Sequence, residues 1–233
     1  YNFYQGVALV YDGYIYLFGS GYSGYEKYAY KYDIENDVYT RLDDMPYLFK
    51  NGSATIINDE IFFCGGATSL TSLYKYNIKN GTYTQLSNIP YNFYWSSIAS
   101  IGENIYLFGS GSAKQYAYKY NIITNEYTRL TNIPYNFFGG CVIALETNIY
   151  LLGSGDSNYC TTVYKYDTVN DEYIQLTNIP YAFCDGCVVN IGENIYLMGG
   201  STNNGDGYVT AYKYQPKVLI FPGVERCKYG GVQ

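Results

Sequence analysis

Along this chain, short apolar or aromatic runs alternate with brief clusters of Gly, Asn and Asp, and nowhere does the apolar spacing take a helical period. The runs are rich in Tyr, Ile, Val and Phe, which suit a pleated, half-buried surface. Between residues 91 and 134 the pattern predicts four strands, at 96–101, 104–109, 116–121 and 126–131. The "IGEN" stretch (101–104) and "YDGY" (11–14) fit tight turns between first and second strands, and "NIITNE" (121–126) fits the turn between the last two.

The same succession recurs through the chain. Cutting after each "(I/M)P" gives units 1–46, 47–90, 91–134 and 135–180, followed by a fifth at 181–228 and a short tail at 229–233. Each unit opens on Tyr-x-Phe: Tyr1/Phe3, Tyr47/Phe49, Tyr91/Phe93, Tyr135/Phe137 and Tyr181/Phe183. An apolar strand closing on glycine follows, then a "YKY" strand, then "YTRL" or a variant. At the start of the first strand, Gly6, Gly52, Ser96, Gly140 and Gly186 share one position, and Val7, Ser53, Ser97, Cys141 and Cys187 the next. Small residues in the same column of every unit are expected where inner strands crowd around an axis. The predicted architecture is therefore an all-β propeller of four-stranded antiparallel blades.

A hydrophobic run ending in a glycine pair (Gly65-Gly66, Gly199-Gly200), then a tyrosine with an aromatic seven residues on, resembles the kelch repeat. The spacing is kept as Tyr32/Tyr39, Tyr76/Tyr83, Tyr120/Tyr127 and Tyr166/Tyr173. The departures are Gly-Ser at 19–20, 109–110 and 153–154, Tyr in place of the usual Trp, and Pro-Tyr in place of Pro-Arg at the unit boundary. The resemblance implies a single kelch-type propeller of five blades. A fourth strand of the last blade is expected near 217–223, with Phe221 seven after Tyr214. The alternative is a fragment of a six- or seven-bladed propeller.

Composition narrows the function. The 233 residues include 34 Tyr and 25 Gly, and the net charge of −6 comes with no basic run, which speaks against nucleic acid or an anionic membrane as partner. No apolar run approaches the roughly 20 residues of a membrane helix, so no membrane insertion is expected. The compartment stays open. The chain has no His, which removes the usual general base and most copper and catalytic zinc sites. Kelch-like propellers include copper oxidases and sugar epimerases, and the first group needs His ligands that are absent here. Glu103, Glu146 and Glu193 fall in one register at a hairpin tip and suit solvated turns. Of the six cysteines, Cys64 takes a core position, Cys141 and Cys187 belong to the inner strand, and Cys160 and Cys227 are the expected exposed thiols. The Cys184-Asp-Gly-Cys187 spacing lacks the second pair of a metal site. No cofactor, metal or catalytic residue is expected.

In a regular scaffold, function belongs where the units differ. Two segments vary: the loop after the glycine pair, and the inter-blade link just past Tyr-x-Phe. The links read Tyr4-Gln5, Lys50-Asn51, Tyr94-Trp95, Phe138-Gly139 and Cys184-Asp185. In an up-and-down sheet both segments emerge on the same side, so Trp95, Tyr94, Lys50, Phe138 and Asp185 are expected near the channel mouth. Tyr47, Tyr91, Tyr135 and Tyr181 are expected as an aromatic ring around it. The predicted function is a non-enzymatic module that binds a protein or peptide there. A glycan-binding or cell-surface adhesin domain is the second reading, and a sugar-modifying enzyme the third.

Overall fold

Tight turns set the register of every blade. Asp12 and Gly13 both adopt positive φ (47° and 78°), and Tyr11 pairs with Tyr14 across them, as a two-residue hairpin of primed type requires. Asn58, Gly102, Glu146 and Gly192 hold the first position of the equivalent turns, each at φ between 54° and 57°. The outer hairpin is held by a side chain: Asp33, Asn77, Asn121 and Asp167 each accept two backbone N–H groups from the residues two and three further on. These bonds favour the ionised carboxylates, and the Asn36 and Asn170 contacts hold Asp33 and Asp167 below the usual carboxylate range.

The computed structural model describes residues 2–20, 23–24, 26–66, 70–158, 160–201 and 211–216, and among them it contains strands and turns only. The first sheet is β1 (Val7–Tyr11), β2 (Tyr14–Phe18), β3 (Ala29–Asp33) and β4 (Val38–Arg41). The second is β5 (Ser53–Ile57), β6 (Glu60–Cys64), β7 (Leu73–Asn77) and β8 (Thr82–Gln85). The third is β9 (Ser97–Ile101), β10 (Asn104–Phe108), β11 (Ala117–Asn121) and β12 (Glu126–Arg129). The fourth is β13 (Cys141–Leu145), β14 (Asn148–Leu152), β15 (Val163–Asp167) and β16 (Glu172–Gln175). In the fifth, β17 (Cys187–Ile191), β18 (Asn194–Met198) and β19 (Ala211–Tyr214) are described. Its expected fourth strand at 217–223 lies outside the described residues, as do Cys227 and the tail. Strand order follows chain order in every sheet, all pairs are antiparallel, and β1, β5, β9, β13 and β17 adjoin one another in turn. The result is a five-bladed β-propeller.

Alternation along the second strand of each blade builds the seams. Phe62 and Cys64 pack toward the third blade, against Ile105 and Leu107, while Ile61 and Phe63 pack back against Tyr16 and Phe18. Tyr106 and Phe108 meet Ile149 and Leu151 at the next seam, and Leu152 meets Ile195 and Leu197 at the one after. Burying each such side chain contributes about 1.5–3 kcal/mol, so the seams rather than the isolated sheets hold the molecule together.

The inner-strand small residues have a different cause from crowding at an axis. A Cβ on Gly52, Gly140 or Gly186 would come within 2.6 Å of the ring of Phe49, Phe137 or Phe183, the Phe of the same unit's opening. Each of those rings is fully buried. A side chain is absent where the phenylalanine ring needs room. The Gly-Ser variant also finds an explanation: Ser20, Ser110 and Ser154 Oγ donate to the carbonyls of Asn2, Asn92 and Asn136, whereas Gly66 and Gly200 at the same position adopt positive φ (115° and 92°).

Glu146 departs from the expected register. Leu145 pairs with Asn148, which puts Glu146 opposite Gly102 and Gly192 rather than Glu103 and Glu193. A glutamate there holds φ 54°, a left-handed conformation that costs a non-glycine residue about 1 kcal/mol. Replacing Glu146 by Gly is expected to raise stability in urea unfolding by about that amount, while Glu103→Gly is not. Equal effects at the two positions would contradict the register.

Candidate functional site

The second residue of each link occupies one strained backbone position. Gln5, Asn51, Trp95, Gly139 and Asp185 have φ of 58°, 55°, 49°, 64° and 53°. Asn, Asp and Gly accept this left-handed conformation readily, and Trp does not. The position is imposed by hydrogen bonding between blades. Asn51 N–H donates to Gln5 O (3.0 Å), Trp95 N–H to Asn51 O (3.1 Å), Gly139 N–H to Trp95 O (2.8 Å) and Asp185 N–H to Gly139 O (2.7 Å). A backbone chain thus runs around the channel mouth, and the side chains of Gln5, Asn51, Trp95 and Asp185 line it.

Together with the small residues that follow them, these five line an open cavity of about 540 Å³. That size suits one or two side chains or a small ligand. Trp95 is half exposed, and Tyr94 leans on it at 5.7 Å between ring centroids. Gly139 separates Trp95 from Asp185, and a Cβ on Gly139 would sit 3.3 Å from Asp185 Oδ1. The missing side chain leaves the space between indole and carboxylate clear. Asp185 is exposed at the mouth, yet partial desolvation of its carboxyl raises its pKa, with the Cys184 thiol acting the other way. A larger cavity of about 640 Å³ lies at the hairpin tips of the fourth and fifth blades, lined by turn residues including Glu146 and Glu193.

The two variable segments do share one face. Gly111 N–H donates to Tyr94 O, Gly155 N–H to Phe138 O and Ser201 N–H to Cys184 O, stitching each loop to its own link. The Tyr94 ring covers Gly111 and the Phe138 ring covers Gly155, with Lys114 Nζ 4.6 Å from the Phe138 centroid. Trp95 and Asp185 line the cavity, Tyr94 and Phe138 support it, and Lys50 is half-buried beside Gly66 without reaching the lining.

The tyrosine ring is placed elsewhere. Tyr47, Tyr91 and Tyr135 are buried in the seams, where they stack on Tyr74, Tyr118 and Tyr164 at 5.0–5.3 Å. Burial pushes their phenols well above the ordinary tyrosine range, as expected for packing groups. Tyr181 is half-buried against Phe183. Gln5 and Asn51 line the mouth and were not singled out from sequence, although their column is the one that contains Trp95 and Asp185. A column of Asn, Gly and Asp is itself a signal for left-handed backbone.

No family model matches the sequence, and no curated protein matches it. Among solved structures, that of YjhT superposes with a TM-score of 0.79 at 12% identity, over 89% of this chain and 80% of its own. At that identity the likeness is one of fold: a β-propeller.

The raised Asp185 pKa has a defined consequence for pH dependence. Below the usual carboxylate pKa of about 3.9 the folded and unfolded states are both protonated and the residue costs nothing. As pH rises toward the elevated folded value, the unfolded chain gives up its proton first, so folded stability falls and the loss persists above it. Asp185→Asn is therefore expected to stabilise the protein at pH 7 and to change little near pH 3, as read from urea midpoints. A larger gain at pH 3 than at pH 7 would contradict this.

Proposed function

We propose that this chain is a non-catalytic binding module of the kelch type, whose channel mouth grips a protein segment through a basic side chain. The observation that carries the reading is the pairing of Trp95 and Asp185 across Gly139, on a backbone position that is otherwise constant. An indole face and a partly desolvated carboxylate together favour a cation: the ring attracts it through its quadrupole, and the carboxylate regains the stabilisation it lost to burial. The net charge of −6 draws a basic partner in the same direction. The backbone ring supplies no further charge, so selectivity rests on these two side chains.

Burial of Tyr47, Tyr91 and Tyr135 removes the aromatic ring expected to serve either a peptide or a sugar, and the carboxylate beside Trp95 is what favours a cationic side chain over a sugar face. The sugar-modifying reading needs an acid and a base in one cavity; Asp185 is the single carboxylate among the described residues lining the mouth, and Glu146 and Glu193 of the larger cavity sit exposed at hairpin tips.

The test is selection of a randomised peptide library on the purified chain. Enriched peptides are expected to share Lys or Arg in a fixed column, and Trp95→Ala or Asp185→Asn to weaken the enriched peptide at least about tenfold, roughly 1.4 kcal/mol. Trp95→Ala should leave the Tm nearly unchanged, because the half-exposed ring covers little apolar surface and Ala keeps the same strained φ. Enriched peptides without a basic column, or full affinity in Trp95→Ala, would overturn the reading. Trp95-dependent retention on a glycan array would shift it to carbohydrate.

A further inference from the structure

Among the described residues, four seams between blades are covered, and the one between the fifth blade and the first is left open. Met198 is 40% exposed, whereas its counterparts Phe18, Cys64, Phe108 and Leu152 are at 0%. Ala211 is exposed, whereas Ala29, Ala117 and Val163 are at 0%. On the other side of the opening, Ile15 and Leu17 are half-exposed, whereas the equivalent pairs in the other four blades, such as Ile61 with Phe63, are all at 0%. Val10 and Ile191, on the two inner strands flanking the opening, are 68% and 66% exposed. Among the described residues, one blade surface of each kind is left bare: the face that elsewhere meets the following blade, and the face that elsewhere meets the preceding one.

Two directional bonding series end at the same place. The backbone chain around the mouth stops at Asp185, and among the described residues no backbone bond joins Asp185 to Gln5. On the inner strands, Ser53 Oγ donates to Ser96 O, Ser97 Oγ to Gly140 O (2.6 Å) and Cys141 Sγ to Gly186 O (3.2 Å), each reaching the following blade. Cys187 holds the next place in that series and is exposed. It is Cys187, more than the half-buried Cys160, that presents a thiol to solvent.

We propose that this opening receives a sixth four-stranded sheet of the same repeat pattern. Its chemistry follows from the two faces it must meet. Toward the fifth blade it presents an aliphatic pair like Ile105 and Leu107, covering Met198 and Ala211. Toward the first blade it presents a large side chain placed like Phe108, covering Ile15 and Leu17. Its first strand offers Cys187 a backbone carbonyl. A single strand or peptide could cover only one of the two faces. A second copy of the chain presents two bare faces of its own, and the experiment below distinguishes it. A lone blade satisfies both faces.

The experiment places a copy of residues 91–134 directly before Tyr1, which reproduces the Pro134–Tyr135 junction as Pro–Tyr1. Alkylation mapped to Cys187 by peptide mass is expected to slow at least about tenfold, and the Tm to rise, because a repeat array gains stability with each added seam. A parallel chain carrying residues 47–90 at the same place guards against a copy that does not fold. Unslowed labelling of Cys187 in both extended chains overturns the proposal. So does protection of Cys187 in the 233-residue chain itself: in a monomer by sedimentation it means the chain covers its own seam, and in a dimer it means a second copy does.

Discussion

Each link phenylalanine makes a double contact on which the rest of the propeller depends. Its carbonyl lies so close to the first glycine of the preceding unit's pair that a Cβ on Gly65, Gly109 or Gly153 would come within 2.0 Å of Phe93, Phe137 or Phe183 O. The rings of Phe49, Phe137 and Phe183 also fill the space beneath their own inner-strand glycines, and Ser96 holds that place beside Phe93. One residue thereby fixes how near two blades come and how the next blade is tilted into the channel. Those glycines hold φ between 62° and 65°, so close approach and backbone conformation select glycine for the same reason. The chain must then reverse within two residues of the phenylalanine to begin the inner strand. That demand creates the left-handed column of Gln5, Asn51, Trp95, Gly139 and Asp185, and with it the channel mouth.

Features set by local chemistry were legible before the structure. Strand alternation, the Gly and Asn turns and the unit period are properties of neighbouring residues. For the third blade the expected strands at 96–101, 104–109, 116–121 and 126–131 differ from the observed ones by no more than two residues at any end. Features that depend on which side of a seam a ring turns to were not legible. Tyrosine serves equally as a wet surface or as packing, and the pattern Pro-Tyr-x-Phe does not say which; buried, Tyr91 and Tyr135 donate to Gly109 O and Gly153 O. The answer lies 27 or 29 residues on, in Tyr74, Tyr118 and Tyr164, whose stacking draws Tyr47, Tyr91 and Tyr135 into the seams. Glu146 was misplaced for a related reason: its neighbours in the column are glycines, and a side chain at left-handed φ breaks the expected residue type without breaking the turn.

The site was half legible. Variation along the link column pointed to Trp95 and Asp185, and the structure sets both at the mouth. Strain is what composition could not show. A tryptophan in a column suited to Asn, Asp and Gly is retained at a conformational cost, and Asp185 carries a desolvation cost in the same ring. Two local penalties on either side of Gly139 in one bonded ring are hard to explain by folding alone, because glycine and asparagine would serve the backbone better. A ligand that uses both side chains would account for their cost.

The two proposals meet at one residue. Asp185 supplies the carboxylate of the mouth and is also the last member of the backbone ring among the described residues. In every earlier pair, the N–H of the following blade's left-handed residue caps the carbonyl of the preceding one. A sixth sheet would bring that N–H to Asp185 O and restrain the peptide unit from which the carboxylate extends. Its own left-handed residue would join Gln5 and Asp185 in lining the channel. The mouth as described is thus bounded on one side by the opening, and whatever closes the seam would set both the width of the cavity and the mobility of its one acidic side chain.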